Sequence, residues 1–184
     1  MEIFDICDEK GMPTGKTVER SAAHRYGILH RTAHVWVIRY ADGRAQVLLQ
    51  QRSEDKDSFP GLFDTSSAGH IPAGCEPLDS AIRELGEELG IHAEPSQLTF
   101  MGIVRVNYEE VFHGEPFHDN EVIRVFAYEE PVRIEDLTLQ KSEVDEVRWF
   151  DVLEVYDEIQ GESERFCINP KGMKLLVEWL AERE

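Results

Sequence analysis

Basic residues are scarce in this chain. Lysine and arginine total 19 against 37 aspartates and glutamates over 184 residues, a formal charge of −18. A surface that negative repels a nucleic-acid backbone, whose binding rests on many Lys and Arg contacts, so no nucleic acid polymer is expected as a partner. It also repels small phosphorylated ligands unless a cation or a local basic pocket reverses the field. An anionic substrate would therefore have to come with a cation. Cysteine is scarce too. Cys7, Cys75 and Cys167 are far apart and form no CxxC pair, which argues against a disulfide framework or a structural zinc site and fits a reducing cytoplasm. No apolar run approaches the ~20 residues that span a bilayer, so no membrane is expected. The opening MEIFDICDEK is acidic and lacks the basic and apolar regions of a secretory signal. Repeats, low-complexity tracts and Pro/Ser-rich linkers are missing as well, so we expect one domain over residues 1–184.

Hydrophobic residues make up 41% and charged residues 30%, a globular composition. EIFDICD reads as a strand and EKGMPTG as a turn. The apolar runs 33–40 and 45–52 flank Asp42-Gly43, a hairpin signal. SFPGLFDTSSAGH reads as a loop running into a strand. Residues 98–106, 121–128 and 146–150 read as further strands, 107–120 as a loop, and 151–159 and 169–184 as helices. These elements around one central helix suggest an α/β sandwich with a mixed sheet.

That central helix starts at Pro77, tolerated at the first helical position, and stops at Gly90. Leu78, Ile82, Leu85 and Leu89 form its buried stripe. The stripe explains the helix but not Glu84, Glu87 and Glu88, which fall at i, i+3 and i+4 on one face. Like charges there cost a few tenths of a kcal/mol per exposed pair and about 4 kcal/mol at ~4 Å and an effective dielectric of 20. A solvated acidic face is the ordinary explanation. Two features favour a cation site instead. Arg83 can pair with Glu87 at i+4, and SSAGHIPAG brings a Gly-rich turn to the helix start, where a ligand can approach the backbone. A hard divalent cation on the carboxylates would relieve the repulsion and carry a phosphate.

Residues 69–91, GHIPAGCEPLDSAIRELGEELGI, resemble the signature box of the Nudix hydrolases: Gly69, Arg83, Glu84, Leu85, Glu87, Glu88, Gly90 and Ile91 fall in register. The first box glutamate is replaced by Cys75, with Glu76 one residue late. In the family that acid mainly supports the loop–helix geometry. The resemblance implies an α/β/α sandwich with a mixed β-sheet. It also implies Mg²⁺ or Mn²⁺ on Glu84, Glu87 and Glu88, and water attack on a nucleoside-diphosphate-type or other organic diphosphate. Glu87, Glu88, Glu143 and Glu121 are the candidate bases, with the choice among them open.

HRTAHVWVI, LLQQRSEDKDSFPGLFDTSSAGHIPAG and LQKSEVDEVRWF resemble the Nudix subgroup most similar to type I isopentenyl-diphosphate isomerase. In that isomerase a catalytic cysteine precedes the Gly-His pair; here the position is Ala68, which has no proton to transfer. Its Glu-Asn-Glu stretch is matched by Asp119-Asn120-Glu121. Its metal-binding histidines are matched by His30 and His70 and, with the spacing off by one residue, by His24. The resemblance thus implies a pocket position for Gly69 and His70 and allows a second metal site. Each histidine taken alone is more often structural, and His34, His92, His113 and His118 have no special claim. Arg52 and Lys56 align with basic residues that grip the diphosphate, although QRSEDKDS, with Glu54, Asp55 and Asp57, also reads as a solvated loop. Trp36, Phe59, Phe63 and Trp149 read as core. The competing readings are an isomerase, disfavoured by Ala68, and a non-catalytic diphosphate-binding module, disfavoured by the intact Arg-Glu-x-x-Glu-Glu core. The oligomeric state stays open, a homodimer among the options.

Overall fold

The computed structural model describes residues 2–56, 58–112, 114–161 and 163–183; Asp57 and His113 lie outside the described residues. In chain order the elements are β1 (Ile3–Cys7), β2 (Pro13–Glu19), α1 (Arg20–Tyr26), β3 (His30–Ala41), β4 (Arg44–Arg52), β5 (Phe63–Asp64), β6 (Ser67–His70), α2 (Pro77–Leu89), β7 (Leu98–Phe112), β8 (Glu115–Tyr128), β9 (Val144–Asp151), α3 (Val152–Glu158) and α4 (Pro170–Ala181). Among the described residues no helix is long and apolar enough to cross a membrane.

Strand β3 is the spine of a mixed sheet. One edge pairs in parallel with β8, from His30↔Glu121 to Val37↔Tyr128. The other edge is shared: β6 pairs with residues 32–35 and β4 with residues 37–41, both antiparallel. The two partners part at Trp36, so the sheet forks there. Ser66 bridges the fork, its Oγ accepting from Val37 N at 2.8 Å and its hydroxyl donating to Leu48 O. Both faces of β3 are covered, which is why it reads as a nearly continuous apolar run. Val35 and Val37 pack under α2 with Leu48, Leu85 and Leu89, while Trp36 and Ile38 pack with Val104, Val155, Met173 and Leu176, beneath α3 and α4. The expected α/β/α sandwich with a mixed sheet is what the chain adopts.

Helix α2 spans the expected residues, with Pro77 in its first turn and Gly90 left-handed at φ 73°. Two expectations need correction, and one element carried no expectation. Residues 13–15, read as the end of the EKGMPTG turn, open β2 (Pro13–Glu19), which pairs with β1. Residues 20–26 form α1, a short helix without apolar periodicity. The 107–120 segment is not a loop: β7 and β8 run through it as a hairpin, Asn107↔Asn120 to Phe112↔Glu115. Its polar positions look like loop in sequence because this part of the hairpin extends beyond the helices that cover the core.

Candidate functional site

Glu88 lies in the fork. The seam of α2 that buries Ala81, Leu85 and Leu89 also buries Glu88, 6% exposed. Its Oε2 accepts from Ala68 N at 3.2 Å and from Gln50 Nε2 at 3.4 Å, one donor from each branch of the fork. Burial, with Glu84 and Glu143 nearby, pushes its carboxyl up to about 8. Glu84 is also raised, by burial and then by Glu87. Its carboxylate lies against Gly69: a Cβ there would meet Glu84 Cδ at 2.2 Å, so any larger residue would displace the Glu84 carboxylate. Glu87 is half exposed, at 52% of its side chain. Arg83 holds both neighbours, 2.7 Å from Glu84 and 3.0 Å from Glu87, and reaches back to the carbonyl of His70 at 3.4 Å.

Two residues beyond Ala68, His70 enters a second cluster. His24 on α1, His30 on β3, His70 on β6, and Asp119 and Glu121 on β8 converge there. His24 Nε2 and His70 Nε2 are 3.1 Å apart. His24 Nδ1 lies 3.6 Å from Asp119, and Glu121 Oε1 lies 3.6 Å from His30 Nε2 and 3.7 Å from His70 Nε2. His24 Nδ1, His30 Nε2 and Asp119 Oδ1 are buried and lack hydrogen-bond partners among the described residues, a costly state for buried polar atoms. With metal–ligand bonds of about 2.1 Å, neighbouring donors lie about 3.0–3.4 Å apart, close to these spacings. Each of two triads that share His30, His24–His30–His70 and His30–Asp119–Glu121, thus fits a divalent cation.

His24 and His70 are also in the right form. Burial, reinforced by the neighbouring rings, pushes His24 down to about 4 and His70 to about 3, leaving neutral imidazoles able to ligate. Burial and the adjacent Glu121 raise Asp119. Burial opposes ionisation of Glu121, but the adjacent His30 and the other nearby histidines outweigh it and hold Glu121 low. Outer partners orient the cluster as in many metal sites: His30 Nδ1 lies 2.8 Å from Ile28 O, and Thr32 Oγ1 donates to Glu121 at 3.1 Å. Phe4 stacks on His70 at 4.5 Å.

The expected phosphate ligands both hold protein partners. Arg52 donates to Ser58 O and Oγ, each at 2.9 Å, and pairs with Asp64 at 3.2 Å. Lys56 pairs with Glu143, tying the 53–58 loop to the 140–143 loop. Sequence reasoning missed Tyr108, which stands opposite Asp119 in the hairpin; burial and Asp119 raise its hydroxyl. It gave His24 only a loose place. The signal for Tyr108 was present, since it lies two residues from Val106 on one strand face, but the segment read as loop. Of the expected core aromatics, Trp36 and Phe63 are buried, Trp149 lies under Arg39 at 4.2 Å, and Phe59 sits half-buried on a loop.

A forked mixed sheet with an acidic helix docked into the fork defines an α/β enzyme of one architecture. A model of the NUDIX domain matches residues 29–169, and the chain belongs to the Nudix hydrolase family. An uncharacterized Nudix hydrolase of Clostridium acetobutylicum is 38% identical over 143 residues, covering 78% of this chain and 66% of that protein; the chain thus spans just under two thirds of that relative's length. An isopentenyl-diphosphate Delta-isomerase of Cereibacter sphaeroides is 34% identical over 149 residues, covering 81% of this chain and 78% of that one. A crystal structure from Deinococcus radiodurans, 17% identical, covers 96% of this chain and 98% of that one at a TM-score of 0.65, a likeness of fold.

Proposed function

We propose that this chain hydrolyses the diphosphate linkage of an organic diphosphate, nucleoside-diphosphate-type or other, by water attack with a divalent cation. The observation that carries this reading is Glu88: a buried carboxylate at the fork, bound to Ala68, two residues before a histidine of a cation-fitting cluster. Glu84, Glu87 and Glu88 would hold a hard cation such as Mg²⁺ through oxygen alone. His24, His30, His70, Asp119 and Glu121 offer three nitrogens and two carboxylates, a set that fits Mn²⁺ or Zn²⁺ better than Mg²⁺. A bound cation supplies charge neutralisation at phosphate oxygens and a lowered pKa for water.

The chain's own groups do the rest. Gly69 keeps Glu84 against the loop, and Arg83 fixes the outer carboxylates. Lys56, released from Glu143, supplies a point charge for a phosphate. Of the four candidate bases, Glu121 is enclosed by histidines and Glu87 is turned outward to Arg83. The 140–143 loop that carries Glu143 is fastened to Glu88, Gln140 N donating to Glu88 O at 3.0 Å, and we assign the water's proton to the Glu88–Glu143 pair. Three cysteines without a disulfide fit a reducing cytoplasm.

A second reading, isomerase chemistry, is favoured by the histidine–carboxylate cluster and by the 34% identical isomerase. Ala68 stands against it, because a methyl group cannot give or take the proton that double-bond migration needs. Incubation with isopentenyl diphosphate separates the two readings: release of phosphate supports hydrolysis, and dimethylallyl diphosphate overturns it. A Mg²⁺- and Mn²⁺-dependent phosphate-release screen over nucleoside and isoprenoid diphosphates is the wider test.

A further inference from the structure

Three phenylalanines and a histidine form a row with a direction. Phe59, on the 53–62 loop, meets Phe112 edge-on at 5.2 Å. Phe112 meets Phe117 at 5.4 Å, and Phe117 stacks on His24 at 4.5 Å with ring planes 15° apart. The row therefore runs from the loop of Lys56, across the tip of the β7–β8 hairpin, to the histidine cluster. All three phenylalanines are half-buried rather than sealed in either core cluster, so their faces are not spent on packing the sandwich.

The loop that delivers Phe59 is held in an unusual shape. Phe59 has φ +49°, a region that a bulky residue rarely occupies. Arg52 clamps Ser58 immediately before it, Gly61 N donates to Arg52 O at 3.0 Å, and Gln51 Nε2 donates to Gly61 O at 2.9 Å. A strained backbone that its surroundings enforce points to function. Lys56 and Phe59 are three residues apart, so their Cα atoms are at most about 10 Å from each other. That span accommodates a diphosphate at one end and the start of its organic group at the other.

We propose that Phe59, Phe112 and Phe117 form the subsite for X, the organic group beyond the diphosphate, and that they select an uncharged X with an apolar, π-rich surface. A nucleobase and a prenyl chain share that chemistry. The selection against charge comes from the hairpin itself. Glu110 stands opposite Phe117 and Glu115 opposite Phe112 on the same strand face, and in the cavity that Phe117 lines Glu109 and Glu110 outnumber Arg25, so a further phosphate on X would meet a net negative charge. Aromatic faces are tolerant of base or alkene identity, which makes the subsite a filter on charge and polarity first.

This inference rests on the diphosphate reading, so its test measures binding apart from turnover. The probes are non-hydrolysable methylene-bisphosphonate esters carrying methyl, prenyl, adenosyl or 3′-phosphoadenosyl groups, titrated by calorimetry with Mg²⁺ present. The prenyl or the adenosyl ester should bind about tenfold tighter than methyl, as one good stacking contact implies, with the stronger of the two naming the source of X. The phosphoadenosyl ester should lose that advantage. Phe59→Ala should reduce the gain over methyl to about twofold, leaving the methyl ester's affinity nearly unchanged. Phe112→Leu keeps apolar volume without a π face and should reduce it similarly, guarding against a folding defect in the alanine variant. Equal affinity for all esters, or a gain that survives both variants, overturns the subsite. Failure of every ester to bind overturns it together with the diphosphate reading. Tight selective binding without phosphate release from the matching diphosphate leaves the subsite standing and removes the hydrolase.

Discussion

The acidic face of α2 and the histidine cluster lie on either side of β6, yet they are built in opposite ways. The helix acids come from one continuous stretch, and each already has a protein partner: Arg83 for Glu84 and Glu87, Ala68 and Gln50 for Glu88. The cluster gathers five residues from α1, β3, β6 and β8, and leaves three of its atoms buried without partners among the described residues. Partnered acids can stand in a folded protein with or without a cation. Unpartnered buried atoms are paid for only if something binds them. The difference teaches that motif strength and strength of ligand demand are separate quantities: the helix is the clearer signature, and the cluster is the clearer vacancy in hydrogen bonding.

The comparison breaks most severely at Glu88. Glu88→Gln keeps an oxygen to accept from Ala68 N but removes the charge, so the fold should hold and cation-dependent turnover should fall about 10³-fold, the scale of losing a preorganised electrostatic group. Steady-state kinetics beside a thermal melt checks this; turnover within a few fold of the parent would unseat the assignment of the helix acids. The next effect belongs to the cluster. His30→Ala should lower retained Mn²⁺ or Zn²⁺ affinity by about 100-fold, the upper end of what even an outer partner's loss costs, with little change in Mg²⁺ binding. Metal analysis after dialysis against each ion reads it out. Equal loss of Mg²⁺ would show that the two regions are one site.

How much of this was legible follows from the same contrast. The α2 site could be read because Gly69, the Arg83–Glu88 core and Gly90 sit at fixed spacings within one turn-and-helix unit, and local spacing is visible in sequence. Its meaning at the fork was not, because the divergence of β4 and β6 from β3 is a matter of pairing. His30, His70 and Glu121 came into view only through resemblance. His24 stayed loose because α1 has no periodic pattern to fix it, and it is held instead by the hairpin: Asn120 Nδ2 donates to Gly27 O at 2.7 Å. The hairpin itself was lost to a loop reading because its strands carry charge on both faces once they leave the core.

Loop contacts come third in size. Lys56 and Glu143 were expected to serve substrate and water separately, and the fold pairs them. Both are partly exposed, so the pair adds at most about 1 kcal/mol of stability. Lys56→Met should therefore leave the melting temperature nearly unchanged while raising KM for the diphosphate about tenfold, the value of one charge-assisted contact. A lowered melting temperature with unchanged KM would give the lysine a structural role alone.

The smallest effect is expected where the sequence departs from the box. Cys75 replaces a glutamate whose family role is to steady the turn before the helix, and Glu76 does not take its place: it caps α2 by backbone position without a side-chain hydrogen bond. Other groups do that work here. Asp5 on β1 accepts from Gly74 N at 2.8 Å and pairs with Arg31 at 2.8 Å, and Arg31 donates to Cys75 O at 3.2 Å. Cys75 N also donates to Pro72 O at 3.0 Å. The turn is thus fastened through the backbone on both sides of residue 75, by a buried ion pair that reaches in from another sheet, while the Cys75 side chain is exposed. Restoring the acid by Cys75→Glu should change stability by no more than about 0.5 kcal/mol, as for other surface substitutions, and leave turnover within about twofold. Asp5→Ala, which strands a buried arginine, should cost about 3–5 kcal/mol. A large gain in activity from Cys75→Glu would mean that the Asp5–Arg31 pair steadies the turn less well than the missing carboxylate, and that the box is impaired in this chain.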